Sequence, residues 1–228
     1  MPRLIAGLIV AIAALSITAA VGLRNGASFI AEGSLLLGQR VWQGEVWRLV
    51  TWSLFEPRPL QLLFACLSLY WFGSELARKC GQRRFLAFFF AVAAAAGACT
   101  ALVGLVWPVV GTIPYAGSWA VLDAIMIAWG TLFPSRELRL YGVVRLTGRH
   151  MVWLTLGGTA LYVLFEGLAP FIPHVAAELL TLGWLRPLPR LRAWWKRRRQ
   201  TELTSRARAF DLQDWIDKDR NRTARPKR

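Results

Sequence analysis

The chain has 228 residues, of which 55% are hydrophobic and 12 are tryptophan, and it carries a formal net charge of +15. Apolar content of that size, gathered into long uncharged runs, excludes an ordinary soluble domain and identifies a protein of the bilayer. The charge does not call for a nucleic-acid partner, because the basic residues fall in short runs between apolar blocks and in the tail, where a membrane surface would meet them.

Leu4 to Leu23 is the first apolar run without a charge. At about 20 residues it is long enough to span, whereas the apolar core of a signal peptide runs to only about 7–15. Residues 1–23 are therefore read as a retained first span, and residues 24–50 as an outward-facing, partly embedded loop. Residues 51–185 are read as five further spans. The second is Leu60 to Phe72 with its flanks, entered through Pro57 and Pro59, which suit a helix start. The third is Phe85 to Trp107, whose run AVAAAAGA gives a thin, closely packable face. Pro114 to Phe133, Met151 to Leu168 and Pro170 to Leu185 follow. Cys66, Cys80 and Cys99 lack C-x-x-C spacing and lie in or beside these blocks, so they suggest neither a disulfide framework nor a metal site. No cofactor is expected.

The connections alternate in charge. RKCGQRR (Arg78 to Arg84), SRELRLYGVVRLTGR (Ser135 to Arg149) and the tail from Arg186 are basic, while WPVVGTIP and EGLAPFIP hold no Lys or Arg. The positive-inside rule then puts both termini in the cytoplasm. The expected fold is an all-α polytopic bundle of six transmembrane helices.

In that topology the fourth and sixth helices run in parallel from the outer face. Ser118 lies four residues past Pro114 and His174 four past Pro170. Each is then roughly 6 Å inside its helix, so the two share a depth. Asp123 and Glu178 fall about a turn below them. Ionisable groups in spans usually face a protein interior or a water cavity and carry function. A serine needs a neighbouring base to attack at neutral pH, and an imidazole is the usual one, which makes Ser118 and His174 a candidate dyad. Packing of Ser118 between helices is the competing reading. Asp123 and Glu178 have three readings: one shared proton between them, Glu178 orienting His174, or a polar clasp between two helices.

The residues from about Gly44 to Leu185 resemble the rhomboid intramembrane serine proteases and their inactive relatives. The resemblance is carried by GEVWRLVTWSLF, WFGSELARKCGQRRFL, AGSWAVLDA followed by LFPSREL, and HVAAELLTLG, in that order and spacing. It implies a rhomboid-like six-helix fold, with Ser118 as nucleophile and His174 as general base. Gln61 and the backbone near Gly117 would support the oxyanion. It also implies no metal or soluble cofactor, single-span membrane proteins as substrates, and a bacterial cytoplasmic membrane as location. The chain departs from the family's pattern at the chemistry. Ala116 and Trp119 stand at its two glycine places, Gln61 and Ala65 at its His and Asn places, and Leu122 and Asp123 at an aromatic and a small residue. An inactive relative that binds transmembrane clients is the alternative, and a third reading has Asp123, Glu178 and His174 handle protons or ions.

The tail, residues 186–228, opens RPLPRLRAWWKRRRQ. It is expected to lie on anionic lipids, with Trp194 and Trp195 in the headgroup region, and not on nucleic acid. Ala207 to Arg222 reads as a short amphipathic helix, and the chain is expected to end in disorder.

Overall fold

The computed structural model describes residues 2–140 and 144–185. They belong to a unit running from Met1 to Gly183 and, for Trp184 and Leu185 alone, to a second unit, Trp184–Arg228. The expectations for the tail lie outside the described residues.

Helix α1, Arg3–Arg24, buries Ile5, Leu8, Ile12, Ser16 and Ala19 along one stripe. The expected first loop is built of short helices, α2 (Phe29–Ser34), α3 (Gly38–Trp42) and α4 (Arg48–Thr51). Arg48 organises it: the buried guanidinium meets the Glu45 carboxylate at 2.5 Å and donates to the carbonyls of Glu32 and Leu35. Both carbonyls lie at the C-terminal end of α2, where a helix leaves acceptors over.

After Arg58, Pro59 opens α5, Pro59–Ser68, and its fixed φ suits that first position. The helix continues through a π turn, Leu69–Gly73, into α6, Ser74–Cys80. The expected second span is therefore longer than Leu60 to Phe72 and carries straight on to the basic turn. Gly81, at φ +94°, breaks the rod and starts α7, Gln82–Val106. The alanine-rich face of α7 lets the backbone of α4 come close: a Cβ on Gly97 would stand 3.1 Å from the Leu49 carbonyl oxygen. The Trp52 indole N–H bridges the Leu49 and Ala93 carbonyls in the same seam.

A short α8, Pro108–Thr112, leads to the central helix α9, Trp119–Leu132, which is buried on almost every side. A helix apolar all round belongs in the middle of a bundle. Phe72, from the π turn, meets Trp129 edge-on with ring centres 5.2 Å apart. Helix α10, Gly148–Glu166, crosses α9 where Gly130 and Gly148 leave room for backbone. Between them lies an antiparallel pair, β1 (Glu137–Leu140) and β2 (Val144–Thr147), with Glu137 opposite Thr147. This corrects the purely helical expectation. Four residues of alternating Leu and polar side chains, ELRL, are a strand signal inside a segment otherwise read only for its charge. A 3₁₀ turn, Ala169–Phe171, leads into α11, Ile172–Leu185.

The protein is thus mostly helical. Among the described residues three helices are long and apolar enough to cross a bilayer: Arg3–Arg24, Pro59–Cys80 and Gln82–Val106. Helices α9 and α11, of 14 residues each, extend only about 21 Å, less than the ~30 Å hydrocarbon core.

Candidate functional site

The start of α9 differs from its sequence-based expectation, and this moves Ser118. The chain from Pro114 is extended: Tyr115 pairs with Leu36 in a β-bridge, and Gly117 takes φ +109°. Helical geometry begins only at Trp119, so Ser118 stands at the helix start and not a turn inside it.

At that point Ser118 is fully buried and held by a residue that the sequence reading passed over, Glu56. The hydroxyl donates to Glu56 Oε1 at 2.6 Å, and the backbone N–H of Ser118 donates to the same oxygen at 2.6 Å. Glu56 is itself anchored, since its backbone N–H donates to Ser16 Oγ on α1 at 2.9 Å. Gly117, expected to support an oxyanion, spends its N–H on the Trp52 carbonyl at 2.9 Å and lies against Glu56 Oε2. The donors that acyl transfer would need are already engaged, and the attacking oxygen has an acid, not an imidazole, as its partner. The only sequence signal for Glu56 is an isolated acid between an apolar run and two prolines.

His174 has a different partner. Its Nδ1 lies 2.7 Å from Asp123 Oδ2, and its ring is tilted against Phe171 at 5.4 Å between centres. With α9 starting at Trp119, Asp123 sits about 6 Å down that helix, and His174 about 3 Å down α11. The imidazole therefore meets Asp123 and not Ser118. Glu178, one turn below His174, takes the Thr159 hydroxyl of α10 at 2.6 Å. Asp123 and Glu178 thus each have their own partner and share no direct proton bridge. It is Asp123, and not Glu178, that orients the imidazole.

A cavity of about 440 Å³ opens between α5, α9, α10 and α11. Gln61, Trp119, Asp123, Thr159 and His174 line it, and Ser118 does not. Ala65 is fully buried away from it. The site therefore consists of a closed Ser118–Glu56 contact behind the wall and an Asp123–His174 pair in the wall itself.

The sequence model of the family described as Eukaryotic integral membrane protein (DUF1751) matches residues 3–200. No curated protein matches the chain. The family match corrects the resemblance to rhomboid proteases, whose quoted pieces all lie within those residues. Glycines and alanines at helix contacts, prolines at helix starts and isolated polar groups facing a bundle interior are demands of close helix packing in any membrane protein, and they do not single out a reaction. The bacterial cytoplasmic membrane is corrected in the same way, because the family is described as eukaryotic. An integral membrane location stands.

Proposed function

The chain belongs to this family of eukaryotic integral membrane proteins, and from that premise we propose that it binds transmembrane segments of other membrane proteins without cutting them. The observation that carries this reading is the Glu56 carboxylate on both the hydroxyl and the N–H of Ser118. A nucleophile must reach a base and leave its oxyanion donors open, and this contact opposes both. Binding has better support. Apolar side chains stand bare on the two helices that flank the cavity, among them Leu60, Leu63 and Phe64 of α5 and Leu161, Leu164 and Phe165 of α10. A client helix would pack along these faces.

We place six segments across the bilayer with both termini in the cytoplasm, on the strength of the basic loops at Arg78 to Arg84 and Ser135 to Arg149. The short α9 and α11 would cross as inner helices of the bundle, shielded from lipid by their neighbours.

A serine-directed fluorophosphonate probe, applied to the protein in native membranes, tests the reading. We expect no labelling of the wild type, together with co-purification of single-span reporters that persists in Ser118→Ala. Labelling that disappears in Ser118→Ala would restore the serine hydrolase and overturn this proposal.

A further inference from the structure

The cavity is graded along its length. On α10 its lining runs from Glu166 to Met151, 15 residues and so about 22 Å. Arg58, just before α5, and Glu166, the last residue of α10, stand at one end, and Met126, Met151 and Leu154 at the other. Three of the polar groups in between are satisfied within the protein. His174 pairs with Asp123, Thr159 donates to Glu178, and Thr155 donates to the Met151 carbonyl. The unmet groups gather at the charged end. Among the described residues the exposed side chains of Arg58 and Glu166 have no hydrogen-bond or ion partner.

A helix about 10 Å across would need roughly 1,700 Å³ over that length, about four times the space present. The cavity therefore admits a slender chain and not a helix. Its pattern of one cation and one anion at the mouth, with apolar walls at the far end, matches an amphiphile with a zwitterionic head.

We propose that the cavity holds one acyl chain of a zwitterionic phospholipid whose head sits at the charged mouth. That acyl chain enters toward Met151, the phosphate meets Arg58, and the ammonium group meets Glu166. Charge-assisted contacts of this kind select the head, and the apolar end selects a chain. The inference goes beyond the binding of clients, which would use the outer faces of α5 and α10 and leave this cavity to lipid.

The test is native mass spectrometry of the full chain, delipidated in detergent and titrated with phosphatidylcholine or with phosphatidylglycerol, whose head lacks the ammonium. One phosphatidylcholine per chain is expected at concentrations where phosphatidylglycerol adds none. Arg58→Ala and Glu166→Ala should each cut retention about tenfold, as loss of a charge-assisted contact would. Gly158 lines the cavity, and a Cβ there meets nothing within 4 Å. Gly158→Phe should therefore fill the space and abolish retention with little change in melting temperature, and Leu154→Trp provides a second blocked variant. Equal retention of both lipids, retention in either blocked variant, or a bound peptide in place of lipid would overturn the proposal. Client capture by the same variants is scored separately. Lost lipid selectivity with intact capture sinks this inference alone, and absent capture by the wild type sinks the client reading alone.

Discussion

At the scale of single residues, Glu56 governs the behaviour of the site. Burial pushes its carboxyl above the usual glutamate range, while the hydroxyl and N–H of Ser118 pull it the other way. A folded-state value above the unfolded one means that the protonated acid is favoured by folding. Its contribution is then fully present below the ordinary glutamate value and is lost as pH rises through the folded value. We expect the melting temperature of the detergent-solubilised protein to fall as pH rises above the ordinary glutamate range for this reason. Glu56→Gln keeps an oxygen for Ser118 and cannot titrate, so it should flatten that dependence; an unchanged slope would put the titration elsewhere. Little of this was legible in the sequence. Ser118, His174, Asp123 and Glu178 stand out as polar residues in apolar runs, but their pairing depends on depth. A start for α9 five residues too early, drawn by Pro114, was enough to pair the wrong ones. The structural reason is Gly117 at φ +109°, a conformation that any of several glycines in the chain would have allowed.

At the scale of elements, small residues decide which helices touch. A Cβ on Gly130 would lie 2.3 Å from the Gly148 carbonyl oxygen, and one on Gly148 would lie 2.2 Å from that of Phe133. Both displaced atoms are backbone, which cannot swing aside. Gly130→Ala or Gly148→Ala should therefore cost about 2–4 kcal/mol and sharply lower the yield of folded protein, as read by thermal melting and gel filtration. Gly157, on the same α10, has open space at its Cβ, and Gly157→Ala should be neutral or stabilise by up to about 1 kcal/mol through helix propensity. Equal damage from all three would refute the assignment of the α9–α10 contact. The long helices were readable, because α1 and α7 are uninterrupted apolar runs with clear ends. The β1–β2 pair was not, because a charge count treats ELRL and VRLT as basic loop and ignores their alternation. The π turn at Leu69–Gly73 has no sequence signal beyond an aromatic cluster, and only its packing of Phe72 on Trp129 reveals what it does.

At the scale of the whole molecule, the charge asymmetry makes a prediction about sidedness. In a chain with Cys66 and Cys99 changed to alanine, Cys80 beside the basic turn should react with a membrane-impermeant maleimide in sealed microsomes, whose cytoplasmic face is outward. A cysteine introduced by Gly167→Cys, beyond the end of α10, should react only after permeabilisation. The reverse pattern would invert the proposed orientation. A mostly helical protein of the membrane was legible from the long apolar runs, since no other environment accommodates so much apolar surface. The family was not, because the motifs that packing demands are shared widely among membrane bundles. The Glu56 contact has a consequence for variation. Glu56 holds Ser16 of α1 through its backbone N–H and Ser118 before α9 through its carboxylate, 40 and 62 residues away along the sequence. Alanine at Glu56 or at Ser118 removes the same hydroxyl–carboxylate contact, so their effects should not add: the double variant should melt close to the worse of its two parents. In heredity Glu56 and Ser118 behave as one locus, where a first change makes the next nearly free.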